Sequence, residues 1–331
     1  MTDPAFHWAR SQIPDFETGR VTPLRAEASF RAFYRLETPA GRSVVLMVSP
    51  PEKEQNEQFE HLSILFSEAG IPVPEILAAE RSTGWYLMTD LGRHELADAY
   101  GTPAEPAGLE AALHTLIALQ TVSDPVIPPY TPDRFRQELG IFSEWFVGGI
   151  LEISLPERIE PVFGHLVERM AGQHQCCVHR DYHCRNLLFD PDTGALGVVD
   201  FQDALMGPVG YDLASLLHDC YHRFSEQDVA YWRDWYLSRT PLALDPAQFT
   251  VDLTMTAVQR QLKAVGIFTR LKLRDGRTTH LSHILPVLES LGFLSRCDAS
   301  LAPLADWLAA LEYDLIRDRI DTLKAQEAGV R

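Results

Sequence analysis

The chain has 331 residues, 46% hydrophobic and 23% charged, the balance of a globular protein with a sizeable core. Its formal net charge of −17 argues against nucleic acid or an anionic membrane surface as partner, since both require a basic face; a few local Arg and Lys side chains still permit an anionic small substrate. No early apolar run behind basic residues and no stretch near about 18 apolar residues is present, so neither a secretory leader nor a membrane span is expected.

The five cysteines, at 176, 177, 184, 220 and 297, are odd in number and lack CxxC spacing. They read as reduced thiols of a cytoplasmic protein, with Cys184 as small buried filler.

In chain order, Ser29 to Leu36 (SFRAFYRL) is rich in aromatics and predicts a strand, Thr38 to Arg42 (TPAGR) is turn chemistry, and Ser43 to Val48 (SVVLMV) predicts a buried strand. Together they predict a β-hairpin. Glu52 to Gly70 carries Phe59, Leu62, Leu65 and Phe66 at helical spacing, with Gly70 as its stop. Ile71 to Pro74 (IPVP) breaks the chain, and Trp85 to Met88 (WYLM) resumes a strand. Beyond Asp90 the pattern turns helical, through Leu109, Leu113, Leu116 and Ile117, then Leu139, Phe142, Trp145 and Phe146, and again from Val251 onward. The expectation is an α+β protein with a small mixed lobe over 1–90 and a larger, mainly helical lobe over 91–331.

The chemistry concentrates between Cys177 and Ser215. Two short apolar runs, Leu187 to Phe189 and Leu196 to Val199, flank the turn sequence DPDTGA and predict a second hairpin. Asn186 enters its first strand and Asp200 leaves its second, so antiparallel pairing brings both to one end. Asp181 lies on the loop leading in. An Asp with an Asn suits magnesium, which takes hard oxygen ligands and keeps waters and substrate phosphates in its other positions. A further Asp beside such a metal suits a group that orients a hydroxyl and accepts its proton, the arrangement phosphoryl transfer needs.

Around these three, His179 reads as a ring buried under the loop and Asp212 as an acceptor for loop donors. His183 is either loop scaffold or an orienting group. Asp203 either contacts an acceptor or is a solvated turn residue. Arg180 and Arg185 either meet an anionic group or are paired scaffold. Glu138, Glu144 and Trp145 are candidates to line an acceptor pocket, with core packing the ordinary role of Trp145.

His179-x-Asp181-x4-Asn186 followed by Asp200 resembles the catalytic and metal-binding loops of the protein-kinase-like fold. His183 two residues after Asp181, and the later GPVGYDLA (207–214), are similar to the aminoglycoside/choline phosphotransferase branch. HRDYHCRNL (179–187), DFQDALMGPVGYDLAS (200–215) and QLKAVGIFTRL (261–271) resemble the bacterial anomeric N-acetylmuramate/N-acetylglucosamine kinases of cell-wall recycling. The resemblance implies a two-lobed fold with a β-rich N-lobe, ATP and Mg2+ as cofactors, and a sugar whose anomeric hydroxyl is phosphorylated. It makes Asp181 the catalytic base or positioner and Asn186 and Asp200 the magnesium ligands. Ser29, Phe30 and Arg31 fall where the nucleotide loop covers the phosphates, and Met88 to Asp90 fall at the hinge that receives adenine.

Two departures stand out. Arg25 to Tyr34 contains no glycine, and Met47 stands where such kinases often place a phosphate-gripping Lys, which would leave Glu57 or Glu60 without an obvious partner. Two other readings stand beside the sugar kinase: an aminoglycoside or amino-alcohol phosphotransferase, since an acidic surface suits a polycationic acceptor, and a nucleotide-binding pseudokinase, motivated by Met47.

Overall fold

The computed structural model describes residues 4–13, 19–24 and 30–328. Contacts divide the chain into two compact units, Met1–Val122 with Cys184–Asp203, and Ser123–His183 with Ala204–Arg331. The predicted α+β class holds: one unit is built on an antiparallel sheet and the other mainly on helices. Among the described residues, no helix is long and apolar enough to cross a membrane.

The first unit begins with α1 (Pro4–Gln12) and a five-stranded sheet of β1 (Arg20–Pro23), β2 (Ala32–Glu37), β3 (Ser43–Val48), β4 (Ile76–Glu80) and β5 (Trp85–Thr89), in the order β1-β2-β3-β5-β4. The hairpin predicted over 29–48 is β2–β3, registered Ala32↔Val48 through Glu37↔Ser43. Its turn closes by Thr38 N donating to Arg42 O at 2.9 Å, with Gly41 at φ +83°. Ser29 lies outside the described residues. Strands β1 and β4 add to the expected order of strand, strand, helix, strand; both are short and β4 contains a register shift near Ile76, so neither shows a clean two-residue period.

Alternation sorts the sheet's side chains onto two faces. Leu36, Val44, Leu46 and Leu87 pack with Ala5, Ala9 and Ile13 on the α1 side. Tyr86, next along β5, turns the other way and meets Phe59 of α2 (Asn56–Glu68), with ring centroids 6.0 Å apart. Helix α2 ends as its sequence predicts, with Gly70 at φ +76° just past the last turn. Helix α3 (Glu105–Leu119) also belongs to this unit.

In the second unit come α4 (Pro132–Ile141), a ten-residue π-helical segment Phe142–Leu151, and α5 (Glu160–Gly172). Strand β6 (Gln175–Val178) follows, and the chain then enters the first unit for β7 (Leu187–Phe189) and β8 (Leu196–Val198), which pair antiparallel as predicted. It returns with β9 (Leu205–Pro208), which pairs with β6, then α6 (Tyr211–Leu217), α7 (Glu226–Leu237) and the 28-residue α8 (Pro246–Leu273). Three helices close the chain: α9 (Ile284–Leu294), α10 (Ala302–Ala309) and α11 (Tyr313–Ala328).

Helix α8 is the spine of this unit, and its glycine at 266 permits a very close approach. A Cβ there would lie 2.6 Å from Phe142 N and 2.7 Å from Ile141 C, backbone atoms at the junction of α4 and the π-helical segment. Gly266→Ala is therefore expected to cost about 1–3 kcal/mol by overpacking. Gly292→Ala, in α9 with nothing within 4 Å of its Cβ, is expected to be neutral or to stabilise by up to about 1 kcal/mol. Denaturant titrations of the two variants check this contrast.

Candidate active site

The loop after β6 is held by its backbone. Asp212, in the first turn of α6 and fully buried, accepts from His179 N at 2.6 Å and from Arg180 N at 3.0 Å. Burial raises its carboxyl above the ordinary aspartate value, and the two amide donors with nearby His179 and Arg260 oppose that rise. Arg180 sits at φ +78°, a left-handed conformation that costs a non-glycine residue about 1–3 kcal/mol. Arg260 of α8 fixes the same residue by donating to its carbonyl at 2.5 Å. The His179 ring is buried, and its Nδ1 accepts from Asp181 N at 3.3 Å.

Arg180 itself points into the unit. Its guanidinium donates to Glu138 of α4 at 2.9 Å and lies 5.5 Å from the centre of the Tyr130 ring. Glu138 is the hub of a buried network, taking donors also from Lys263 at 3.2 Å, from Gln259 at 3.2 Å and from the Tyr130 hydroxyl. Lys263 Nζ donates in turn to the Tyr211 hydroxyl at 3.3 Å. Burial alone would push the Glu138 carboxyl up, but Lys263 and Arg180 outweigh it and bring it down to about 2.

Asp181, partly exposed, experiences the same cations. Burial pushes its carboxyl up, while Lys263, Arg180, Arg260 and His183 hold it well below the ordinary aspartate range. Asp181 is thus a carboxylate at any physiological pH.

In the first unit, Asn186 and Asp200 meet at one end of the β7–β8 hairpin, as antiparallel pairing predicts. Val199 N donates to Asn186 O at 3.0 Å, and Asn186 Nδ2 lies 3.4 Å from Asp200 Oδ2. Asp200 is exposed and left-handed at φ +65°, and its Oδ1 accepts from Gln202 at 2.6 Å. The next residue anchors it: Phe201 is buried, stacked on Phe59 at 5.3 Å and edge-on to Phe66 at 5.7 Å. Such pairs contribute about 0.5–1.5 kcal/mol each beyond burial. An amide and a carboxylate on one hairpin end form an oxygen donor set that fits magnesium.

On the predicted nucleotide side, Ser29 lies outside the described residues. Phe30 is 63% exposed, its backbone N–H donating to Glu54 at 2.9 Å. Arg31 is buried beside Ser49, Glu54 and the Phe59 ring. Met47 is fully buried in β3 opposite Tyr86. Glu60 does have an ion-pair partner: Arg81 lies 2.8 Å away and the Tyr86 hydroxyl donates to it at 2.9 Å. Met88 is buried in β5, and the Asp90 carboxylate is held by Arg35 at 2.6 and 2.9 Å and by Ser43.

The remaining candidates fall in different settings. Glu138 is buried in its network, whereas Glu144 is exposed and Trp145 partly exposed on the π-helical segment. Arg185 is partly exposed and Asp203 exposed, both in the first unit. Lys263 and Arg260 were not among the predicted site residues. The available signal was a lysine on the polar stripe Thr256, Gln259, Lys263 and Gly266, which recurs every three or four residues inside a long apolar helix and so faces the core.

A five-stranded antiparallel sheet, a helical unit, and a loop that presents an aspartate ahead of an Asn–Asp hairpin are the construction of protein-kinase-like phosphotransferases. The chain belongs to the phosphotransferase enzyme family, which it matches over residues 20–247. It is 34% identical over 324 residues to an N-acetylmuramate/N-acetylglucosamine kinase of Neisseria meningitidis, covering 93% of this chain and 95% of that protein. An identically named kinase of Pseudomonas aeruginosa is 34% identical over 311 residues, covering 91% of this chain and 90% of the relative. Among solved structures, a Plasmodium vivax ethanolamine kinase has the same fold at TM-score 0.65 and 9% identity, covering 86% of this chain and 85% of its own. A choline/ethanolamine kinase family protein of Mesorhizobium loti has it at TM-score 0.61 and 14% identity, covering 97% and 99%.

Removing one member of a buried charge network leaves the others uncompensated, at about 3–5 kcal/mol. Glu138→Leu, which strands Arg180 and Lys263, is expected to destabilise by that amount in denaturant titration. Because the folded-state value of Glu138 lies below that of the unfolded chain, its contribution is complete above the ordinary glutamate range and fades as pH falls toward 2. Wild type should lose this stability between about pH 5 and 2, and Glu138→Leu should lose correspondingly less over the same window.

Proposed function

We propose that this chain is an ATP- and magnesium-dependent sugar kinase that phosphorylates the anomeric hydroxyl of N-acetylmuramate, N-acetylglucosamine or both, in peptidoglycan recycling. The observation that carries this reading is the near full-length similarity to two kinases of that name, which extends through the 179–187 loop. Asp181 is the catalytic group; Asn186 and Asp200 hold the magnesium ion. The metal supplies neutralisation of charge on the transferred phosphoryl group.

The electrostatics of Asp181 bear on its role. A carboxylate held below the ordinary range is a weak base, so its larger share is to orient the acceptor hydroxyl and to take its proton late, once the bond to phosphorus has formed. The residues around it serve that orientation: Asp212 and Arg260 fix the backbone before Asp181, and the Glu138 network fixes Arg180. On the nucleotide side, Phe30 and Arg31 cover the phosphates and the 88–90 backbone receives adenine.

Asp181→Asn is expected to lower kcat by at least about a thousandfold with thermal stability retained. The assay is ATP-dependent turnover with N-acetylglucosamine, N-acetylmuramate, kanamycin, choline and homoserine, with the product read by phosphorus NMR. Its expected product is an anomeric sugar phosphate. Turnover of kanamycin or choline alone would assign a different acceptor, and near-wild-type turnover by Asp181→Asn would remove Asp181 from the chemistry. Asn186→Ala and Asp200→Ala should raise the magnesium concentration needed for half-maximal activity.

A further inference from the structure

We infer that Glu54, in the turn leading into α2, is a positioning residue for the nucleotide: it anchors Phe30 and Arg31 and thereby sets the affinity for ATP. The assignment rests on the kinase reading above, in which those two residues cover the phosphates, and it names what holds them in place.

One carboxylate makes both contacts. Glu54 Oε1 accepts from Phe30 N at 2.9 Å, and Oε2 lies 3.5 Å from the Arg31 guanidinium. Lys53, the preceding residue, places its ammonium 4.5 Å from the centre of the Phe30 ring. A backbone bond, an ion pair and a cation–π contact therefore join residues 30–31 to residues 53–54 at the open end of the β2–β3 hairpin, where Ala32 faces Val48. Arg31 Nε also donates to Ser49 Oγ at 3.3 Å. Asn56 fixes Ser49 in turn, accepting from its hydroxyl at 2.5 Å and donating to its carbonyl at 2.8 Å. The turn that carries Glu54 is closed by its own backbone, with Lys53 N and Glu54 N donating to Pro50 O at 3.0 and 3.1 Å.

The same stretch reaches the end of the β7–β8 hairpin assigned to magnesium. Gln58, in the first turn of α2, donates to Gln202 O at 3.2 Å, and Gln202 donates to Asp200 Oδ1 at 2.6 Å. Phe59 stacks on Phe201 at 5.3 Å, and the Arg31 guanidinium lies 5.4 Å from the centre of its ring. Residues 53–59 thus hold both the 30–31 segment and the 200–202 segment, all within the first unit.

A glycine-rich loop fits phosphates through backbone freedom. Positions 25–34 hold no glycine, so the fit has to come from contacts that fix the segment before the nucleotide arrives. Ordering already met in the free protein is not subtracted from binding. A carboxylate on a backbone amide is a charge-assisted bond, about twice as strong as a neutral one, and suits that task. An anion near phosphates would otherwise oppose binding, and Arg31 at its side offsets that charge. The two effects differ in sign: removing an anchor weakens ATP binding, whereas removing a repelling charge tightens it.

Calorimetric titration of the full chain with magnesium and ATP gives the Kd, and turnover of N-acetylglucosamine at saturating ATP gives the acceptor KM. Wild type, Glu54→Ala and Glu54→Gln are compared, with thermal melting of each. Glu54→Ala removes both contacts and should raise the ATP Kd at least about tenfold, the value of one hydrogen bond to a charged group, with the acceptor KM within twofold. Glu54→Gln keeps an oxygen for the Phe30 amide and should raise the Kd less. If Glu54→Ala, which leaves the buried Arg31 without this carboxylate, does not fold, Glu54→Gln carries the test with a Kd raised more than twofold. An ATP Kd within twofold of wild type, or a tighter one, overturns the anchor while the kinase reading stands. An equal rise in the acceptor KM makes Glu54 a general scaffold residue and overturns it as well. A wild type that binds no ATP overturns the nucleotide reading, and the anchor with it.

Discussion

The Asp212 carboxylate, buried and accepting from two consecutive backbone amides, is the interaction on which the loop after β6 depends. A loop between two strands ordinarily satisfies its backbone with solvent. Here the donors of His179 and Arg180 are turned inward, and a side chain from the next helix meets them. The price of the left-handed Arg180 is about 1–3 kcal/mol, and two hydrogen bonds to a charged acceptor, at about 1.5–3 kcal/mol each, are enough to offset it. The outcome is that Asp181 leaves the loop with its backbone direction fixed rather than sampled.

The charges behind the loop extend the same constraint into the helices. Arg180, Lys263 and Arg260 are cations, while Glu138, Asp181 and Asp212 are carboxylates, so three positive and three negative groups share one region of the second unit. A core of Leu and Phe at these positions would be at least as stable, because desolvating ions absorbs most of what their attraction returns. Apolar residues in place of Arg180, Lys263 and Arg260 would leave Asp181 without those three cations. Burial would then weigh more heavily on its carboxyl and shift it upward, opposed by His183. The network is better understood as setting the protonation state and direction of one carboxylate than as a source of stability.

Much of this was legible from residues alone, and the reason differs by element. The β2–β3 and β7–β8 hairpins were readable because apolar runs flank strong turn sequences, and the meeting of Asn186 with Asp200 followed from antiparallel pairing. Helix α2 announced itself by spacing and by Gly70. Strands β6 and β9 were not read, since they are four residues long and pair across about thirty residues, a relation that leaves no local period. Glu138 was legible as an acidic candidate for an acceptor pocket but not as a buried one: its partners are Tyr130 ahead of α4, Arg180 on the loop after β6, and Gln259 and Lys263 on α8, which only tertiary packing brings together. Lys263 could be placed on the core-facing side of α8 from its spacing, but its partners could not.

The nucleotide side carries the most instructive difference between residue pattern and structure. Met47 in place of a lysine suggested an orphaned glutamate on α2, and an orphaned buried charge would be a sign of a damaged site. The structure removes that sign. Position 47 faces α2 beside Tyr86, and the Glu60 carboxylate that a lysine there might have served is occupied by Arg81 and by the Tyr86 hydroxyl, whose proton burial and the neighbouring Glu60 retain. The apolar Met47 therefore costs no unpaired charge, and the β3–α2 interface is complete without a lysine. The absence of that lysine is then an alternative arrangement of this sheet rather than a lesion in it, and it gives no support to loss of catalysis.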